Sequence, residues 1–517
     1  MIQATKWRPF SSCQGASGTS GFLLMDKRSE LPWGQNASPL NLPVQFPCQY
    51  GKTIHFVKEA NMRNKYDSLT ALLAAVLLLL LGGCATYQPK PLPLGPNLSA
   101  DVGKLIKPAI EAPVNAEGGL NLTEVAVLAV QNNPELKAKR SQLGIKRAQV
   151  FSTGLLPDPQ FSASLDHPTG SLPDTVNAYG LGLDYDIVPL INRGARLESA
   201  RKAEQQINLE LLWQEWQVSQ QARTLVVSLV SEDQQIALLQ GMRDLYQKRY
   251  QQSQEAVAQG DLTLGVAGTD LTALLDTLSQ INQLEQTRND TRHELNLLLG
   301  LAADAPLLIR QPPLPAPLAP GTVSSELATL PQRRPDLLAL QAGYRSQEAT
   351  VRAAILAQFP SISIGINRAR DTGSVYTTGF NIGLTLPLFS GNRGAIAVER
   401  ATRTELHEEY QARLDQAAMD VDKLLRLQGI VEAQQKQLSE YLPTLKALVD
   451  RGREAYRRGD IDALTFLNME STWVSKRLEQ IGLEQVQRNN LIALQTLLAI
   501  PEEGAPKRTD TKEPLAK

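Results

Sequence analysis

AYGLGLDYDIVPLINRGA, Ala178 to Ala195, and GFNIGLTLPLFSGNRGA, Gly379 to Ala395, are the stretches that decide the fold. Each begins with apolar residues at every second position and closes on Asn-Arg-Gly-Ala, where a long helical pattern takes over. In the first, Tyr179, Leu181, Leu183, Tyr185 and Ile187 alternate with Gly180, Gly182, Asp184 and Asp186. In the second, Phe380, Ile382, Leu384, Leu386 and Leu388 alternate with Asn381, Gly383, Thr385 and Pro387. A period of two predicts a strand with one apolar face and one small or polar face. An outgoing strand precedes each, marked by Phe161, Ala163 and Leu165 and by Ile362, Ile364 and Ile366. Turn-rich intervals, Pro168 to Asp174 and Arg370 to Ser374, separate the members of each pair.

The repetition extends well beyond these strands. Asn133-Pro134-Glu135-Leu136 matches Arg334-Pro335-Asp336-Leu337, Pro159 matches Pro360, Gly260-Asp261-Leu262 matches Gly459-Asp460-Ile461, and Leu298-Leu299 matches Leu497-Leu498. The spacing stays within one residue of about 200, far longer than a solenoid period, which predicts duplication of a whole structural half. Each half reads as a first helix (Leu122 to Leu155; Glu326 to Leu356), two strands, a long helix and a returning helix. The long helices, Arg193 to Gln259 and Arg393 to Arg458, would each extend about 100 Å. Pro443 predicts a kink near the far end of the second. The chain turns at Gly260-Asp261 and Gly459-Asp460 and returns over Thr269 to Leu301 and Thr465 to Ile500, since glycine is favoured just past a helix end.

The N-terminal part carries a targeting pattern. Met62-Arg63-Asn64-Lys65 is a short basic start, and Leu69 to Leu81 is apolar apart from Thr70. As a helix that run spans about 20 Å, too short for a hydrocarbon core of about 30 Å, so it reads as a signal peptide. It closes on Leu81-Gly82-Gly83-Cys84, which resembles the lipobox of bacterial lipoproteins and implies lipidation of Cys84. Ala85 follows in place of the aspartate that marks retention in the inner membrane. The segments expected are thus an upstream extension preceding the native start (1–61), a lipoprotein signal peptide (62–83) and an extended segment (84–120). Repeat 1 (121–301), a Pro-rich linker (302–323), repeat 2 (324–500) and a charged tail (501–517) follow. Cys13 and Cys48 fall in the extension, leaving Cys84 alone and no disulfide framework.

Composition excludes several functions. Lys plus Arg number 52 against 53 Asp plus Glu, so nothing favours nucleic acid as a partner. Aromatics at 5% suit long helices better than a conventional globular core. The four histidines, His55, His167, His293 and His407, are scattered, and His407-Glu408 lacks the second histidine of a zinc-protease helix. Gly180-Leu181-Gly182 lies inside a strand pattern and lacks the third glycine of a nucleotide fingerprint. Neither an enzyme nor a metal or other cofactor is expected.

Strands of this pattern suit a membrane β-barrel with a wet interior, or a soluble sheet packed on one face. Four strands cannot close a barrel, and lipid does not tolerate open edges, so a membrane sheet requires several chains. From about Leu120 to Ile500 the chain resembles the outer membrane factor family, the TolC-like ducts of efflux and secretion systems. The resemblance is carried by the LGGC box, the two helix-strand-strand-helix halves, the Leu-Pro-Leu-Phe-Ser-Gly stretch at 386–391 and the turn at Tyr456 to Gly459. It implies a mainly α fold with membrane β: a homotrimer forming a single 12-stranded β-barrel continued by a long α-helical coiled-coil barrel, with two internal repeats per chain. It further implies an outer membrane channel, lipid-anchored at Cys84, that conducts cargo supplied by an inner-membrane pump through a periplasmic adaptor.

The residues expected at the periplasmic tip, where the adaptor docks, are Gly260, Asp261, Leu262, Gly459, Asp460 and Ile461. Family members carry an acidic ring at the entrance, six and nine positions after the second tip glycine. Here those positions hold Thr465 and Asn468, which leaves Asp460 and Asp462 as substitutes. Asp184 and Asp186 are expected to face the barrel lumen. The alternative is a periplasmic adaptor lipoprotein, which would carry one helical hairpin flanked by compact β domains.

Overall fold

The computed structural model describes residues 87–105, 118–169, 174–313 and 318–500. Cys84, the signal peptide, the upstream extension and the tail lie outside the described residues. The chain divides into two units, 1–92 and 93–517, and every element named here belongs to the second.

The first half begins with α1 (Leu122–Asn132) and α2 (Pro134–Gly154). Asn121 opens α1 with a capping box: its side chain accepts from the Glu124 amide at 2.8 Å while the Glu124 carboxylate accepts from the Asn121 amide at 2.8 Å. The single helix expected over Leu122 to Leu155 is therefore two. Pro134 has no N–H for a continuing ladder and forces Asn133 out of the helical region, and the Asn133 side chain then caps α2 through the Leu136 amide at 2.9 Å.

β1 (Gln160–Asp166) and β2 (Ala178–Asp186) follow, then α3 (Val188–Gln259, 72 residues) and α4 (Leu264–Leu298). The second half comprises α5 (Pro320–Ala328), α6 (Leu330–Arg333), α7 (Pro335–Leu356), β3 (Ser361–Arg370), β4 (Tyr376–Thr385), α8 (Arg393–Arg458, 66 residues) and α9 (Ala463–Leu497). The helix expected over Glu326 to Leu356 is likewise broken, at Thr329 and at Arg334 ahead of Pro335. The returning helices start and stop a few residues before their expected bounds. Pro443 lies inside α8, which continues as helix to Arg458.

The two Asn-Arg-Gly-Ala copies, expected to mark the same junction, differ. In the first half α3 has already begun at Val188, because Pro189 is tolerated in a first turn and the Asp186 carboxylate accepts the Val188 amide at 3.0 Å. Asn192 and Arg193 are thus helical, and Arg193 donates to the last carbonyl of α2, Gly154, at 3.1 Å. In the second half Asn392 stands before the helix in the left-handed region, φ 54°, and its side-chain amide donates to the Ala354 carbonyl at 2.7 Å. Different members of the motif thus tie each long helix to the end of a preceding short one.

The strands form one antiparallel sheet in the order β1-β2-β3-β4. The register puts Ser162, Gly182, Asn367 and Gly379 in one row and Gln160, Asp184, Gly365 and Asn381 in another. Small and polar residues therefore share a face, while Phe161, Leu183, Ile366 and Phe380 line up on the opposite one. The helices bury their apolar stripes midway along: Val125, Leu128, Ala222, Val226, Leu295 and Leu299 form a cluster that also takes in Val102 and Leu105 from the N-terminal segment. A second packs Val323 and Val421 against Leu494 and Leu498.

Candidate functional sites: two hairpin tips and the polar sheet face

Both long helices end in the same way. Gly260 and Gly459 adopt φ 82° and 79°, a left-handed conformation that a side chain disfavours. The Gly260 amide donates to Val257 O at 3.1 Å and the Asp261 amide to Ala256 O at 2.8 Å. The matching bonds in the second tip are Gly459 to Tyr456 O at 3.0 Å and Asp460 to Ala455 O at 2.9 Å. These close the last helical carbonyls and reverse the chain within a few residues.

The residues after the turns diverge. Leu262 is exposed, whereas Ile461 is half-buried and reaches back toward Gly452. Asp460 is paired with Arg458 at 2.9 Å. Asp462 caps α9: its carboxylate accepts the Thr465 amide at 2.7 Å and the Thr465 hydroxyl at 3.1 Å. The backbone bond from Thr465, then its hydroxyl, hold the Asp462 carboxyl below the usual range, with a smaller contribution from the Arg249 charge. Thr465 is thus engaged by this cap, and Asn468 is exposed on the next turn. In the first tip Thr263 occupies the corresponding cap position and makes no side-chain cap bond.

The tips share a cleft of about 610 Å3, whose walls include Arg249, Leu262, Thr263, Val266, Tyr456 and Asp462. It brings Leu262 of one hairpin and Asp462 of the other to the same opening. Beneath it lie groups that the sequence reading missed. Arg249 pairs with Asp270 at 2.5 Å, Ser253 donates to the same carboxylate, and Asp270 is almost wholly buried. In the other hairpin Tyr456 stacks on Phe466, with centroids 5.5 Å apart and planes 5° from parallel. These pairs join residues that become neighbours only when the helices fold back, so the helical period does not reveal them.

On the sheet, Asp184 accepts a hydrogen bond from the Asn381 amide at 2.7 Å across the intervening Gly365. A Cβ at Gly365 would meet both side chains, so glycine lets them lie flat over β3. Asp186 shares the polar face but is committed to the start of α3. Among the described residues no group of His, Cys, Asp and Glu is arranged to hold a metal ion. No helix among them is long and apolar enough to cross a membrane.

Comparison with known proteins adds the family. Residues 327–499 match the family described as "Outer membrane efflux protein". The "Probable outer membrane lipoprotein SilC" of Salmonella typhimurium is 25% identical over 475 residues, covering 83% of this chain and 98% of that protein. The "Cation efflux system protein CusC" of Escherichia coli K12 is 24% identical over 404 residues, covering 72% and 84%. Among solved structures, the outer-membrane channel OprN superposes with a TM-score of 0.63 at 17% identity, over 82% of this chain and all of that one. A CusC structure superposes with a TM-score of 0.60 at 19% identity, over 80% of this chain and 99% of that one.

Proposed function

We propose that this chain, a member of the TolC-like outer membrane efflux protein family, is the outer membrane channel of a tripartite efflux or secretion system. The observation that carries the reading is the sheet. One of its faces is apolar and the other small and polar, and the strands lead into helices of 72 and 66 residues. With β1 and β4 at its edges, a four-stranded sheet in lipid needs further copies to pair with. Three copies would supply twelve strands, enclose the polar faces as a wet bore and continue it as a tunnel of helices. The recurring helix-strand-strand-helix order supports an internal duplication that makes the wall of such a tube nearly sixfold.

Conduction is then passive. The bore offers Asp184, Asn381, Asn367 and hydroxyls to hydrated cargo, while an inner-membrane pump supplies the energy and a periplasmic adaptor joins pump to tip. Lipidation at Cys84 would tether each chain to the same membrane. The adaptor alternative fits less well, because two helical hairpins joined through one sheet leave no place for compact flanking β domains. CusC is named for cation efflux, and cations are accordingly the first cargo to assay here.

Exposed Leu262 sits at the cleft between the tips, where an adaptor helix would cover it. Leu262→Asp removes little core volume yet places a charge in a docked contact, at a cost of about 2 to 5 kcal/mol. The variant is expected to assemble as a trimer by native mass measurement, to lose cross-linking to the adaptor and to lose export. A stable monomer in the wild-type protein would overturn the assembly, and undiminished cross-linking in Leu262→Asp would overturn the docking end.

A further inference from the structure

The two ends of the strand pairs differ in chemistry. At the ends remote from the long helices the described residues are mostly polar: His167 bonds Asn177 at 2.7 Å, Asp371 accepts the Gly373 and Val375 amides, and Arg370 donates to Ser374, with Val375 the apolar exception. At the other end, all four strand-helix junctions expose large apolar side chains. Leu155 and Leu156 stand between α2 and β1, Ile191 at the start of α3, Phe359 between α7 and β3, and Leu388 and Phe389 between β4 and α8. Phe389 is 92% exposed, an extreme value for a phenylalanine with nothing to cover it.

Two features indicate what covers them. The apolar face of β4, Phe380, Ile382 and Leu384, runs on at the same two-residue step through Leu386 to Leu388, beyond the end of the strand at Thr385, so the junction prolongs the outer face of the sheet. The backbone there is also satisfied from within: Arg393 donates to Phe389 O at 3.0 Å and Ser390 O at 3.3 Å, and Arg193 to Gly154 O at 3.1 Å. Carbonyls at bends in water need no such partners, whereas those at the edge of a hydrocarbon layer do, and arginine there keeps its stem in apolar surroundings and its head among polar groups. Exposed Arg196 and Arg393 add positive charge within the first turns of both long helices, complementary to anionic headgroups.

We propose that the four junctions form an apolar collar that seats in the headgroup and upper acyl region of a phospholipid leaflet, fixing the depth of the sheet on the side of the long helices. The occupant is lipid, and the inference rests on the membrane sheet proposed above. The collar is supplied by the connecting segments, so strand length alone does not set the depth.

The test uses the full chain in vesicles of phosphatidylethanolamine and phosphatidylglycerol, spin-labelled at Phe389→Cys or Leu156→Cys. Phe380→Cys marks the strand face, Ser374→Cys marks the far turn, and the chain without an added cysteine gives the background. Collisions with oxygen, which concentrates in hydrocarbon, are compared with those of a water-soluble nickel chelate. Labels at 389 and 156 are expected to give an oxygen-to-nickel ratio several-fold above that at 374 and below that at 380. A ratio at both positions equal to that at 374 overturns the collar, since the junctions are then in water. Protection from both reagents overturns it in favour of a contact with a neighbouring copy. Loss of oxygen access at 380 as well would instead refute the membrane sheet.

Discussion

The two hairpins reverse on the same backbone and rest on opposite chemistry. Counting 199 residues on from Arg249, Ser253 and Asp270 of the first gives Leu448, Gly452 and Met469 of the second. The first tip sits on a buried ion pair with a hydroxyl attached. In the second, Gly452 is covered by Met469, Phe466 and Ile461, with Tyr456 stacked on Phe466. The contrast recurs further up, where buried Glu232 accepts from Thr291 at 3.0 Å and the equivalent residues are Val431 and Asn490. The turn geometry thus needs only its glycine and the carbonyls of the last helical turn. What lies beneath can be polar or apolar, provided that every charge has a partner.

Breaking that pairing should have the largest effect. Asp270→Leu leaves the Arg249 guanidinium confined without its carboxylate and should cost about 3 to 5 kcal/mol, read as a lower urea midpoint and faster amide exchange in α3 and α4. Replacing the whole set, Arg249→Leu with Ser253→Gly and Asp270→Met, carries the second hairpin's residues into the first. Removal of both charges together should recover most of that loss in the same measurements.

Overpacking the apolar tip comes next. A Cβ on Gly452 would already lie 2.9 Å from Met469 Sδ, so Gly452→Leu must displace Met469 and Phe466, at about 1 to 3 kcal/mol by urea unfolding. Gly260→Ala and Gly459→Ala should each cost about 1 to 2 kcal/mol, and equally, because both residues are left-handed and neither has a neighbour within 4 Å of an added Cβ. A marked inequality between them would show that the layer beneath reaches the turn after all.

The smallest effect is a dependence on pH confined to the second tip. The Asp462 carboxyl is held below its ordinary value by Thr465, so its contribution is complete above the usual carboxylate range and is lost as pH falls through the depressed value. Amide exchange at the start of α9, corrected for the intrinsic rate, should accelerate on acidification, and Asp462→Ala should remove the dependence. The start of α4 lacks such a cap and should show none.

The strand faces, the long helices and both tip glycines are legible because a period of two, a period near 3.6 and a left-handed turn each follow from local geometry. The proline breaks at Asn133 and Arg334 are legible in the same way, since a missing N–H interrupts a helix wherever it occurs. The motif shared by Asn192 and Asn392 shows the limit. Its four residues are identical, but Asp186 and Pro189 start α3 upstream of one copy while Ser390 and Gly391 delay α8 at the other. Flanking residues thus decided which side chain would reach the preceding helix.

The tips divide in the same manner. By itself the sequence determined where the chain would turn, which face of each strand would be apolar and that one chain would hold two similar halves, because these depend on residues a few positions apart. Only the tertiary structure decided that Asp270 would receive Arg249, that Ile461 would fold back while Leu262 stayed exposed, and that Leu262 and Asp462 would line one cleft. Such pairs lie many residues apart, and which side chains meet depends on the relative rotation of packed helices, a quantity that no local period encodes.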